Sequence, residues 1–373
     1  MLSKFITMKK IIFLVLLFST TNAFAQLLNV EQINSTYKDA KMTFATDAHT
    51  ILQTIKIENG FLAIATKLKG FTVKYLLIEM DENGVITKET ETEGMGYIFN
   101  TLSADGKMLA SAKYDYTKKK NTVHIINVSD MKELKQFEFN ETKATDYTKE
   151  LKFSPDGKFL AGTLLKGQSY IWNMTELNMV WFNPKETPIH SIAFSTYTSE
   201  AAVFYEFDKK DFKKISKFFW LLMVNLTDGT GKFYDRPDRL EIADAHFKKD
   251  GKLMLLTLTA TITIYDLQKD EMVKTQPLSD YVPKAMALGT VGANGSIKHI
   301  KTNENEYIVV SLAKNAVTMI FKGEEELKPY IKFYNPREQE KKQNLMYHIG
   351  RVEQFMVGNQ VWDIPNLLNI NKM

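Results

Sequence analysis

Short apolar stretches separated by polar turns recur along the chain, and three of them share one pattern. Leu102-Ser103-Ala104-Asp105-Gly106, Phe153-Ser154-Pro155-Asp156-Gly157 and Phe247-Lys248-Lys249-Asp250-Gly251 each run from an apolar strand into an Asp-Gly turn and on into a second apolar strand. This pattern predicts β-hairpins, because Gly supplies the positive φ that a tight turn requires. The three aspartates are 51 and then 94 residues apart, and 94 is two periods of 47, so one degenerate copy belongs between them. Ile192 to Ser195 followed by Ala201 to Phe204 fits that gap. After each hairpin an apolar run ends on a polar residue, as in Ile171-Trp172-Asn173, Ile264-Tyr265-Asp266 and Val361-Trp362-Asp363, with weaker copies elsewhere. The polar positions are 79, 127, 173, 225, 266, 322 and 363, which predicts seven units. Trp220, Leu222 and Val224 alternate with Phe219, Leu221 and Met223, so this strand is apolar on both sides, as a sheet covered on both faces requires.

Looking for fixed periods before local structure decides the fold here. The residues from about 40 to the end resemble the WD40 family of β-propellers, whose third strand closes on a Trp-Asp pair. Leu151 to Met174 is the best copy, and Trp-Asp stands literally only at Trp362-Asp363. No copy carries the family's Gly-His pair. The resemblance implies an all-β fold, a seven-bladed β-propeller of four-stranded antiparallel blades over residues 49–373. Pro365 cannot donate in a central ladder, so the last unit lacks a strand. The segment 26–48 is expected to supply it, with Lys41 to Ala45 as the outer strand that closes the ring.

Residues 1–25 place Lys4, Lys9 and Lys10 ahead of the apolar run Ile11 to Phe18 and end on Ala23-Phe24-Ala25. This order predicts a secretory signal peptide cut after Ala25, with translation starting at Met1 or Met8. The run is far shorter than the roughly 20 residues that span a bilayer, so no membrane span is expected in the mature chain. Loss of the leader removes three lysines and no acid, which takes the formal net charge from +4 to +1. A nearly neutral protein has no strong global attraction to nucleic acid. The expected location is the periplasm or the exterior, and a monomer is expected. With 44% hydrophobic and 25% charged residues the composition is that of a globular protein, and the absence of Cys excludes thiolate nucleophiles and cysteine metal sites.

Candidate chemistry is sparse. The chain has no Gly-x-Ser-x-Gly, His-Glu-x-x-His, phosphate-loop or calcium-loop motif. Repeats occupy the body, so no separate catalytic domain is expected, and neither a catalytic residue nor a cofactor is assigned. His246, His299 and His348 take one equivalent position in successive units. Convergent imidazoles could bind a metal, but such residues are more often buried histidines bonded to a backbone carbonyl, so no metal is assigned. The connections between second and third strands concentrate lysines on one face. They contain Lys67 and Lys69, then Lys113, Lys118, Lys119 and Lys120, then Lys166, then Lys209, Lys210, Lys213, Lys214 and Lys217. Tyr114, Tyr116, Phe207 and Phe212 are interleaved with them. This face could grip an anionic partner, an envelope protein or a surface glycan; the competing reading is lysines that keep hairpins soluble and block edge pairing. The function expected is a noncatalytic interaction platform. The alternative is a propeller enzyme, a lactonase or glycan-cleaving hydrolase, with paired carboxylates at the axial mouth.

Overall fold

A computed structural model of the chain describes residues 27–29, 41–43, 49–69, 72–92, 99–115, 120–139, 148–165, 168–183, 189–205, 219–235, 242–281, 295–301, 306–312, 317–325, 327–329, 331–334, 346–348, 354–357 and 360–363. The N-terminal part contributes β1 (Leu27–Asn29) and β2 (Lys41–Thr43). The first sheet is β3 (His49–Ile57), β4 (Gly60–Lys69), β5 (Thr72–Met80) and β6 (Ile86–Glu91). The second is β7 (Phe99–Leu102), β8 (Met108–Asp115), β9 (Lys120–Asn127) and β10 (Glu133–Glu138). The third is β11 (Thr148–Phe153), β12 (Phe159–Leu164), β13 (Ser169–Asn173) and β14 (Asn178–Asn183). The fourth is β15 (Ile189–Phe194), β16 (Glu200–Tyr205), β17 (Phe219–Asn225) and β18 (Gly231–Asp235). The fifth is β19 (Ile242–Phe247), β20 (Leu253–Thr257), β21 (Thr261–Asp266) and β22 (Glu271–Pro277). Then follow β23 (Ser296–Lys301), β24 (Glu306–Leu312), β25 (Val317–Lys322) and β26 (Ile331–Tyr334), and finally β27 (Met346–His348), β28 (Gln354–Val357) and β29 (Gln360–Asp363).

The strand order makes the fold an all-β propeller of antiparallel, four-stranded blades, with six such blades among the described residues and not the seven expected from the sequence. Six sheets are four-stranded; the remaining one has five strands in the order β1-β26-β25-β24-β23, with β1 parallel to β26. Nothing in the period of the repeat foretells that extra strand, because Leu27–Asn29 precedes the first unit. Lys41–Thr43 pairs antiparallel with Gln360–Asp363 as the outer strand of the last sheet, inside the segment for which the sequence predicts that role. The N-terminal stretch therefore runs along the outer edges of two sheets. An edge strand presents unpaired N–H and C=O groups, and β1 and β2 cover two such edges. Inner strands of neighbouring sheets touch in succession, including β15 with β19, β19 with β23, and β27 with β3.

Each pair of consecutive sheets from the first to the sixth shares its own apolar cluster. Ile55, Leu62 and Leu77 meet Leu102 and Leu109, and Val123 and Ile125 meet Leu160 and Trp172. Ala161 and Ile171 meet Ile192 and Leu222; Phe204 and Leu221 meet Phe247 and Tyr265; Met254 and Ile262 meet Ile308 and Phe321. The alternation within β17 explains how one strand serves two clusters. Leu222 and Val224 face the third sheet, while Leu221 and Met223 face the fifth. Trp220 breaks that parity and joins Leu221. A register shift between Phe219 and Leu221 leaves Trp220 as a bulged residue, and a bulge rotates its side chain to the other face.

In four of the units the polar landmark has a local cause. The side chains of Asn127, Asn173, Asn225 and Asp266 accept backbone N–H groups of the following turn, from Ser129, Thr175, Thr227 and Gln268 at 2.8–3.0 Å. A short acceptor at that position closes the turn between the third and fourth strands, which is the reason Asn and Asp recur there. Outer strands are coated with charge and polar groups: β10 and β22 are exposed along most of their length, as protected sheet edges require. No helix among the described residues is long and apolar enough to cross a membrane.

Candidate functional site

Three groups of side chains bear on function: the lysine-bearing connections, the polar groups of the inner strands, and the histidines. Of the rim candidates, Lys120 lies within the described residues, and its ammonium pairs with Glu138 of β10 at 2.8 Å. Lys67 behaves alike, bridging to Glu89 at 3.3 Å. Tyr116, Lys118, Lys119, Lys166, Lys209, Lys210, Phe212, Lys213, Lys214 and Lys217 lie outside the described residues, as do Asp208 and Phe207. Tyr114, grouped with them in the sequence reading, is a core residue at 3% exposure. Its position in β8 points it toward the sheet interior, so it offers no surface. Asp115 pairs with Lys120, Thr163 with Ser169 and Phe204 with Leu221, so in each of the second, third and fourth sheets the segment in question joins the second strand to the third.

Along the inner strands, polar side chains fasten one sheet to the next. The Gln53 amide donates to the Leu102 carbonyl at 3.3 Å and accepts the Leu102 N–H at 2.8 Å. Lys149 donates to the Ile189 carbonyl at 3.1 Å and Lys152 to the Ile192 carbonyl at 3.2 Å. Lys152 also reaches Asp244 of the fifth sheet at 3.6 Å, while the other Asp244 oxygen accepts the Ile297 N–H of the sixth at 2.9 Å. Burial alone would lower the Lys152 pKa, but the Asp244 and Glu150 carboxylates raise it on balance, so the ammonium stays charged. These groups are occupied in holding sheets together.

The histidines give a different picture from the one expected. His246, near the end of β19, bonds a carboxylate and not a backbone carbonyl: its Nε2 lies 2.7 Å from Oε1 of Glu324, in the turn after β25. His299 of β23 stacks obliquely beside it, with ring centroids 4.6 Å apart. One ligand atom from each of His246, His299 and Glu324 falls within 4.8 Å of the other two. Of His348 only the backbone is described, paired in β27 with Phe355, so the third histidine of the aligned set is not placed by its side chain. Glu324 is nearly enclosed, at 5% side-chain exposure, and His246 at 7%. Tyr197, from the turn of the fourth sheet, donates its hydroxyl to Oε1 at 3.1 Å, and the Lys249 N–H donates to Oε2 at 2.8 Å. Burial pushes the Glu324 pKa up, but the bonds from His246, the Lys249 N–H and Tyr197 outweigh it and the carboxyl stays below its ordinary range. Burial together with the Glu324 charge raises the Tyr197 phenol, which therefore acts as a donor. Beside the cluster, Lys248 directs its ammonium to Glu325 at 2.9 Å and Asp250 at 3.3 Å.

Sequence reasoning found two of the three groups and missed Glu324 and Tyr197. Glu324 follows Gly323 in an acidic run that reads as a solvated turn, and its partner His246 lies 78 positions away. No local period couples them.

No family model matches this sequence, and no curated protein matches it. Among solved structures the chain is similar to the β-propeller domain of Cps50 (Swd1) from Myceliophteria thermophila, at 13% identity over 64% of this chain and 73% of that one, with a TM-score of 0.45.

Proposed function

We propose that the chain is an exported, noncatalytic β-propeller of WD40-like type that serves as an interaction platform in the cell envelope. It binds an envelope protein or a surface glycan through the lysine- and aromatic-bearing connections on one face, in the periplasm or outside the cell. What supports this reading is that the connection from second to third strand, β8 to β9, β12 to β13 and β16 to β17, is the one that carries the basic residues in three consecutive sheets. These connections hold Tyr116 to Lys119, Lys166 and Lys209 to Lys217. Lysine stems and aromatic rings supply contact area, and the charges favour an acidic partner.

The described carboxyls that depart from their ordinary range, including Asp105, Asp156, Asp250 and Glu324, all lie below it. They are engaged in closing turns and joining sheets. The test is capture from envelope extract with the purified protein and with a variant carrying Lys209→Glu, Lys210→Glu, Lys213→Glu and Lys214→Glu. The variant should keep the wild-type melting curve and lose the captured partner by tenfold or more. Equal recovery of the same molecules by both proteins would exclude this face as the binding surface.

A further inference from the structure

We propose that His246, His299 and Glu324 form a binding site for one divalent transition-metal ion of the zinc class, which ties the fifth sheet to the next one along the chain. Two imidazole nitrogens and one carboxylate oxygen make a borderline donor set suited to Zn²⁺, Co²⁺ or Ni²⁺ and unsuited to Ca²⁺, which takes oxygen ligands. The three ligands come from separate elements, β19, β23 and the turn after β25, and still converge within 4.8 Å. With metal bonds of about 2.0–2.1 Å in a tetrahedron, ligand atoms stand about 3.3 Å apart. The His246 to Glu324 contact at 2.7 Å therefore opens slightly, and the longer separations close by no more than a side-chain rotation allows.

The surroundings match those of a held ligand set. A bare ion pair needs one carboxylate and one imidazole, whereas here a second imidazole is packed 4.6 Å from the first in a largely enclosed space. Two imidazoles cannot both satisfy a single buried carboxylate as cations without repelling each other; one metal ion uses all three groups at once. Glu324 is oriented by donors at both oxygens, Tyr197 at 3.1 Å and the Lys249 N–H at 2.8 Å, which fixes the carboxylate as outer partners fix metal ligands. A three-residue set leaves a fourth position for water. Lys248 is held by Glu325 and Asp250.

The test uses full-length mature protein without a histidine tag, stripped with chelator and titrated with Co²⁺ and Zn²⁺. Cobalt reports through its visible absorption, and zinc through calorimetry and the melting temperature. The expected result is one ion per chain, cobalt bands typical of four-coordination, and a higher melting temperature with zinc. His299→Phe removes one ligand and leaves the His246 to Glu324 bond, so the metal-free variant should still melt in one cooperative transition while affinity falls at least tenfold. Glu324→Gln should lose affinity as well, and His124→Ala, a histidine paired with Glu133 on the second sheet, should bind as wild type. Absence of stoichiometric binding to wild type, or unchanged affinity in His299→Phe, would overturn the proposal. If Glu324→Gln does not fold, His299→Phe decides alone.

Discussion

The hairpin turns of the second and third sheets and that of the fifth derive from one sequence pattern and settle into two kinds of structure. In the first kind the turn is self-contained. Ser103 donates to Asp105 at 2.7 Å and accepts the Met108 N–H at 2.9 Å; Ser154 donates to Asp156 at 2.6 Å and accepts the Phe159 N–H at 2.9 Å. In the fifth sheet Lys248 stands where the serine stood, and the turn looks outward. Its ammonium reaches Glu325 and its neighbour's N–H reaches Glu324, both in the turn of the adjoining sheet. Replacing a short hydroxyl with a long cation thus converts a local closure into a lock between sheets. Such a lock is also where titratable groups are forced together, and the histidine cluster is the result.

The comparison predicts unequal costs. Glu324→Ala removes the acceptor of His246, Tyr197 and the Lys249 N–H at once, and stranding buried donors typically costs about 3–5 kcal/mol. The same truncation at Asp105, in a self-contained and half-exposed turn, should cost about 1 kcal/mol. Urea denaturation of the two variants measures both, and equal costs would break the distinction. A smaller effect separates the turn glycines. Gly106 and Gly251 both have positive φ, at +73° and +80°. A methyl on Gly106 would lie 2.9 Å from Ile55 Cδ1, whereas one on Gly251 would meet nothing within 4 Å. Gly251→Ala should cost about 1 kcal/mol from backbone strain alone, and Gly106→Ala about 2 kcal/mol, because the side chain must also displace Ile55.

How much of this the sequence disclosed follows the same divide. Features that close within one unit are written in adjacent residues: the Asp-Gly turns, the Asn or Asp landmark that caps the next turn, and the alternating apolar faces of β17. Even the missing strand of the last unit could be inferred, since Pro365 stops the chain's own ladder. Features that join units are not. The parallel pairing of Leu27–Asn29 with β26 and the meeting of His246 with Glu324 depend on where sheets lie in space. Tyr114 was misjudged for a related reason: beside lysines in sequence it reads as exposed, but strand alternation sends it inward. The lysine-bearing connections are legible only as composition, because loop residues of uneven length carry no period.

The smallest expected effect concerns acid. The pKa values of Asp156 and Asp250 are both lowered. For Asp156 partial burial opposes the shift, and the Ser154 hydroxyl and the Lys158 N–H overcome it. For Asp250 partial burial is overcome first by the Lys252 ammonium, then by the Lys252 N–H and the Lys248 charge. A carboxyl with a depressed folded pKa contributes stability above its unfolded value of about 3.9, and the contribution is lost as pH falls through the folded value. Both turns should therefore weaken as pH falls below about 4, each by less than about 1 kcal/mol given their exposure. The donors differ, and so should the salt response. Asp156 also faces the Lys158 ammonium, at 3.4 Å, as a lesser contributor than the Ser154 hydroxyl; added salt screens an ammonium far more than a hydroxyl, so the acid-sensitive contribution removed by Asp250→Asn should shrink more in molar salt than that removed by Asp156→Asn. Stability measured against pH at low and high salt for the two variants checks this. Equal salt dependence would mean that the outward-looking turn is held by contacts other than its charges.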